Sequence, residues 1–247
     1  LRGLILDLRN NAGGLLDQAI RVSNQFLNDG IIVSTIGRNK KDKDVVYAKK
    51  DGARIDFPAI VLINEYSASA SEIVSGALQD NKRAIIMGNL TFGKGSVQSV
   101  VKIDDEKGLK LTIAQYMTPS GRKIQALGIK PDIEIDDVEG DWFSGIRSQE
   151  DYIREADLRN HLTATIETAD EKKMREENEK KDREERIKKV EEKKKRVESN
   201  KKEKDEDKVT YKKYEPREDY QVMQAINYLK GLNILQKTPV INTPIKK

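Results

Sequence analysis

The sequence predicts an α/β fold, and two observations carry that expectation. Short, almost wholly apolar runs recur along the first half of the chain, as strands buried on both faces do. Two of these runs are followed by a turn and then by an amphipathic helical stripe, the order that layers helices on a sheet. Leu4-Ile5-Leu6-Asp7-Leu8 is the first strand, stopped by the turn signal Arg9-Asn10-Asn11-Ala12-Gly13-Gly14. Leu15, Ala19, Val22 and Phe26 then share one helical face, and Gly30 stands where a C-cap glycine belongs. Residues 31–36 and 44–49 read as strands joined by a basic turn. Pro58 precedes the strand Ala59-Ile60-Val61-Leu62-Ile63, and Ala70, Ile73, Val74, Ala77 and Leu78 form the second stripe. A further strand covers 84–87. Residues 97–103 and 109–117, split by Asp104-Asp105-Glu106-Lys107-Gly108, predict a β-hairpin. Residues 151–168 predict a helix, and Tyr220, Met223, Ile226, Tyr228, Leu229, Leu232 and Leu235 predict a strongly amphipathic one.

Charge divides the chain differently. Between 171 and 208, 31 of 38 residues are charged, 17 basic and 14 acidic, with too few apolar positions for a coiled coil. That stretch reads as a solvated helix laced with ion pairs, or as disorder. Outside it, 29 basic residues balance 28 acidic ones, so nothing points to a nucleic-acid surface. The absence of cysteine excludes a thiol nucleophile, a disulfide scaffold and thiolate metal sites. The single histidine, His161, excludes a zinc site with two imidazoles and forces any Ser–His–Asp triad through that residue. No apolar run is long enough to span a bilayer. The opening at Leu1, inside a strand and without Met, reads as part of a longer protein.

Three places offer chemistry. In Asn64-Glu65-Tyr66-Ser67-Ala68-Ser69-Ala70-Ser71-Glu72 a serine at a strand-to-helix turn would gain the helix amides for a developing negative charge. Helix capping explains the same residues, since Ser69-x-x-Glu72 fits a capping box. Gly88-Asn89-Leu90-Thr91-Phe92-Gly93-Lys94-Gly95-Ser96 resembles a phosphate loop, but Gly95 takes the hydroxyl position and a strand follows, so nucleotide binding is rejected. What remains there is a lysine between two glycines, a usable general base where burial lowers its pKa, or a plain surface turn. Gln98 lies four residues on, towards the same side in an extended strand. Asn10-Asn11-Ala12-Gly13-Gly14 presents amides that could take an oxyanion, though a tight turn accounts for the glycines too. Together these make a serine–lysine hydrolase, which needs no histidine, cofactor or metal.

The same residues resemble the carboxy-terminal processing (tail-specific) peptidases. The matching stretches are Leu6-Asp7-Leu8-Arg9-Asn10-Asn11-Ala12-Gly13-Gly14, Ser67 to Ile73, Ala77-Leu78-Gln79-Asp80-Asn81, Thr91 to Gln98 and Gly128-Ile129-Lys130-Pro131-Asp132-Ile133, in family order over about residues 1–135. Ala12 departs from the family's frequent proline. The resemblance implies Ser69 as nucleophile, 25 residues before the base Lys94, with Gln98 positioning the lysine. It implies the amides of Gly14 and Ala70 as oxyanion donors and Asp80 as a supporting residue. It implies a crotonase-like layered core, a preceding PDZ domain, an extracytoplasmic (periplasmic or membrane-associated) address and protein substrates with exposed carboxyl termini. The expected division is a peptidase core over 1–137, incomplete at its amino end, and a helical extension over 138–247 that builds a homodimer. Met223, Ile226, Leu229 and Leu232 should then be buried, against residues 151–168 or a second subunit. The competing expectation is an inactive or truncated homologue serving as an assembly module.

Overall fold

The computed structural model describes residues 1–38, 42–50, 57–136, 153–158, 162 and 214–237 of the 247. His161, most of the expected 151–168 helix and the whole charged stretch 171–208 lie outside the described residues.

The elements are β1 (Leu4–Asp7), α1 (Leu16–Asn24), β2 (Ile31–Gly37), β3 (Lys43–Tyr47), β4 (Ala59–Ile63), α2 (Ala70–Asp80), β5 (Ile85–Gly88), β6 (Ser96–Lys102), β7 (Gly108–Met117), β8 (Ile133–Glu134) and α3 (Tyr220–Lys237). Strands β1-β4-β5-β8 form one sheet, parallel throughout. Strands β3-β2-β7-β6 form a second, antiparallel sheet.

The continuous apolar run of β4 has a direct cause. Side chains alternate across a strand, so a strand covered on both faces needs apolar residues at every position. Ala59, Val61 and Ile63 face a cluster with Ile73, Val74, Ala77 and Leu78 of α2, Ala19 of α1, and Ile32, Val33 and Tyr116 of the second sheet. Ile60 and Leu62 face the other way, with Met87, onto Val222, Ala225 and Leu229 of α3. The result is α3, parallel sheet, α1 with α2, then antiparallel sheet.

Two expectations need correcting. Helix α1 ends at Asn24, well short of Gly30, because the N–H groups of Gln25 and Phe26 turn back to Val22 and Ser23 carbonyls while Asn24 Oδ1 accepts from Lys49 N–H. Gly30, at φ +86°, instead opens β2 against the Asn81 side chain. On α3 the fully buried apolar positions are Val222, Ala225 and Leu229, with Met223, Ile226 and Leu232 only half-buried. That face lies on the chain's own parallel sheet, so it is not open to a second subunit. Residues 153–158 carry a 3₁₀ turn, Glu155–Asp157, where a helix was expected.

Candidate active site

The site is built where β4 ends and α2 begins. Asn64 is buried at the end of β4 and acts as a template for the loop beside it: its Oδ1 accepts from Asn10 N–H at 2.9 Å and its Nδ2 donates to Asn10 Oδ1 at 3.0 Å. Asn11 O in turn accepts from Ala68 N–H at 3.0 Å and from Ser71 Oγ at 2.9 Å. The Asn10–Gly14 loop is thereby tied to the serine turn.

The three serines separate by their bonding. Ser67 is fully buried and donates to Leu8 O at 2.7 Å, while Ser71 is buried and donates to Asn11 O. Both hydroxyls are committed to the fold. Ser69 is half-buried, makes no side-chain cap bond, and sits at φ 55°, ψ −113°. A non-glycine residue in that region costs about 1–3 kcal/mol, and such strain persists only where surroundings enforce it. Here the enforcement is visible, because Ser69 N–H donates to Glu72 Oε2 at 2.8 Å.

Glu72 therefore does more than cap α2. It is wholly buried, and its two oxygens take four donors. Oε1 accepts from Thr91 Oγ1 at 2.5 Å and Gly93 N–H at 2.7 Å. Oε2 accepts from Ser69 N–H and Lys94 N–H, each at 2.8 Å. One carboxylate oxygen thus holds the backbones of Ser69 and Lys94 side by side. Burial pushes the Glu72 carboxyl up even against those four hydrogen bonds.

Lys94 is half-buried on the loop between β5 and β6. Gly93 reaches φ +96° with Ala126 and Gly128 backbone close by, and Gly95 N–H donates to the buried Gln125 Oε1 at 3.0 Å. Gln125 Nε2 continues to Glu155 Oε1 at 2.8 Å, and Glu155 N–H returns to Phe92 O. So residues 153–158 brace the lysine loop from outside.

Gly13 touches the serine turn, and its N–H donates to Asn11 Oδ1 at 3.0 Å. The N–H groups of Gly14 and Ala70 have no acceptor among the described residues. Gln98 is exposed on β6, past a register shift at Val97/Gln98, and its amide reaches Thr112 Oγ1 at 3.5 Å, the outer limit of a hydrogen bond. The extended-strand argument had aimed it towards Lys94, and the bulge breaks that alternation. Asp80 lies at the far end of α2, about 15 Å from Ser69. It accepts from Ser120 N–H at 2.9 Å and pairs with Arg122. Burial would raise it, but hydrogen bonds from Thr118 and Ser120 and the Arg122 charge hold it below the usual carboxylate range.

Sequence reasoning missed Thr91, Gln125 and Asn64 as supports and read Glu72 only as a cap. The Ser-x-x-Glu spacing was a signal for Glu72; the other three carried none.

The comparisons agree with this geometry. The model of "Peptidase family S41" matches residues 1–135. The chain is 48% identical over 168 residues to a carboxy-terminal-processing protease of Bartonella bacilliformis, covering 68% of this chain and 38% of the relative. It is 45% identical over 130 residues to a carboxyl-terminal-processing protease of Synechocystis, covering 53% and 30%. Among solved structures, a photosystem II D1 C-terminal processing protease superposes with TM-score 0.52 at 39% identity, covering 55% of this chain and 35% of that one. The chain thus spans about a third of the length of these relatives. A family model covering more than half of the chain, over the residues that build the serine and lysine loops, settles the classification: the chain belongs to peptidase family S41.

Proposed function

We propose that this chain carries the catalytic core of a serine endopeptidase that processes or degrades protein substrates from their carboxyl termini. Ser69 Oγ attacks the scissile carbonyl and passes its proton to the uncharged Nζ of Lys94. The oxyanion is taken by the amides of Gly14 and Ala70. Collapse expels the amine, protonated by Lys94, and water then hydrolyses the acyl-enzyme with Lys94 again as base. Gln98 positions the lysine once substrate covers β6, and Asp80 supports α2 from its far end. The observation that carries the reading is the shared Glu72 oxygen, which sets the strained Ser69 beside Lys94 while Ser67 and Ser71 are engaged elsewhere.

The names of the relatives support the substrate class and an extracytoplasmic site of action. The core is read as crotonase-like. Intact Ser69 and Lys94 argue against an inactive assembly module.

The test is cleavage of an unfolded protein substrate by the full-length protein. Ser69→Ala and Lys94→Ala should each lose several orders of magnitude in kcat with an unchanged fold, roughly 10⁴-fold or more by analogy with other activated-serine sites. Loss in Ser71→Ala with activity kept in Ser69→Ala would move the nucleophile and overturn the assignment.

A further inference from the structure

The feature that the reaction leaves unused is a buried ionic cluster between the start of α3 and the loop after β1. Arg9 directly precedes Asn10–Gly14, and its side chain is only 14% exposed. All five guanidinium N–H groups are occupied. Nε donates to Asp7 Oδ1 at 2.9 Å, and Nη2 donates to Asp7 Oδ2 at 2.6 Å and Asp219 Oδ2 at 2.7 Å. Nη1 donates to Asp219 Oδ1 at 3.1 Å and Gln221 Oε1 at 2.9 Å. Gln221 is wholly buried, and its Nε2 donates onward to Ile135 O at 2.8 Å, just past β8. Asp219 Oδ1 also caps α3 through Val222 N–H at 3.1 Å.

Holding α3 on the sheet does not require this cluster. Val222, Ala225 and Leu229 already pack on Ile60, Leu62 and Met87. A buried ion pair is a poor source of stability compared with apolar packing, and its best-attested benefit is a fixed register. The register fixed here is that of Arg9, the residue that leads into the loop.

We propose that Asp219 and Gln221 are positioning residues of the active site, acting through Arg9 to fix the loop that carries the Gly14 amide. This rests on the reading of Gly14 as an oxyanion donor. Past Arg9 the loop has two further anchors, Asn10 on Asn64 and Asn11 on Ala68 and Ser71. Those anchors set its distance from the serine turn. The Arg9 fork sets its rotation about the end of β1, because a planar guanidinium held at five points admits one orientation. The far end of the chain thus completes a site that the first 135 residues otherwise contain.

Asp219→Asn and Gln221→Met in the full-length protein test this. Asn keeps the cap oxygen for Val222 N–H but turns an amide donor on Arg9, and Met keeps the volume of Gln221 without an acceptor. At a temperature well below each variant's Tm, kcat should fall roughly ten- to hundredfold, the range for a displaced catalytic group, with KM within about twofold. Leu229→Ala is the contrast, because it weakens α3 packing far from Arg9: Tm should drop and kcat should hold. Unchanged kcat in Asp219→Asn and Gln221→Met overturns the proposal, as does an equal kcat loss in Leu229→Ala. Retained cleavage in Ser69→Ala and Lys94→Ala overturns the dyad reading and this one with it. Loss there, with full kcat in the two α3 variants, overturns this one alone.

Discussion

Replacing Gly13 with alanine adds a single methyl where the loop meets the serine turn. A Cβ at Gly13 would lie 2.6 Å from Ala68 O, 2.8 Å from Ala70 N and 2.9 Å from Ser69 Cβ. Real contacts of this kind lie at 3.4 Å or beyond, so the loop must retreat by about 0.5–1 Å. Moving the three contacted atoms instead would disturb the nucleophile itself. Gly13 also sits at φ +98°, where a side chain costs roughly 1–2 kcal/mol. Strain and clash together should lower stability by about 2–4 kcal/mol. The larger effect is on rate. Gly14 follows directly, and its amide would retreat with the loop; an oxyanion donor lost or misplaced costs about 10²–10³ in kcat. Gly14→Ala is the natural comparison, since nothing lies within 4 Å of its added methyl and its φ is not in the left-handed range. The assay pairs kcat on a peptide substrate with thermal unfolding for both variants. Gly13→Ala with kcat within about threefold of the parent would refute the claim that this loop presses on the nucleophile.

Glu72→Gln leaves one oxygen for four donors and sets its amide against the N–H groups of Ser69 and Lys94; cleavage should fall at least about a hundredfold, with stability down by about 2–4 kcal/mol in denaturant melts. Asp80→Asn weakens the tie to Arg122 and Ser120 far from Ser69, so stability should fall by about 1 kcal/mol with kcat nearly unchanged. Asp219 is buried, which alone would raise it, yet hydrogen bonds from Arg9 and Val222 N–H and the Arg9 charge hold it below the usual carboxylate range. Its contribution is therefore fully present above an ordinary carboxylate pKa of about 4 and is lost as pH falls through the lowered value. Hydrogen exchange in α3 should quicken below about pH 4, and Asp219→Asn should remove that pH dependence.

What the sequence discloses follows from how local each cause is. Strand β4 was legible because burial on both faces demands five apolar residues in a row, and α2 because its stripe repeats within one helix. Ser69 and Lys94 were legible through the family spacing, although capping explained Ser69 equally well until Ser67 and Ser71 were found engaged. Glu72 was half-legible: its bond to Ser69 is local, but Thr91, Gly93 and Lys94 arrive about 20 residues later. The face of α3 was misjudged because Val222 and Ala225 are less conspicuous than Met223 and Leu232. Which face is buried was decided by the fork of Arg9 on Asp219 and Gln221, partners more than 200 residues away in sequence. The end of α1 depended likewise on Asn24 reaching Lys49 N–H.

The parallel sheet explains why so distant a helix belongs to the core. Ile60, Leu62 and Met87 are wholly buried, and each gains about 1.5–3 kcal/mol from that burial. Their cover is α3; α1 and α2 lie on the opposite face, where Val61 and Ile63 meet them. A sheet of this kind needs both faces covered. The cover can be supplied from the far end of the chain because the entropy of closing a loop grows slowly, each doubling of length costing about 0.6 kcal/mol. Thirty-eight mostly charged residues before α3 are therefore a small addition against three large buried side chains. Once α3 lies on the sheet for apolar reasons, its first turn stands beside the end of β1. Asp219 and Gln221 then meet Arg9, and through Arg9 the packing of the sheet's back face reaches the loop beside Ser69.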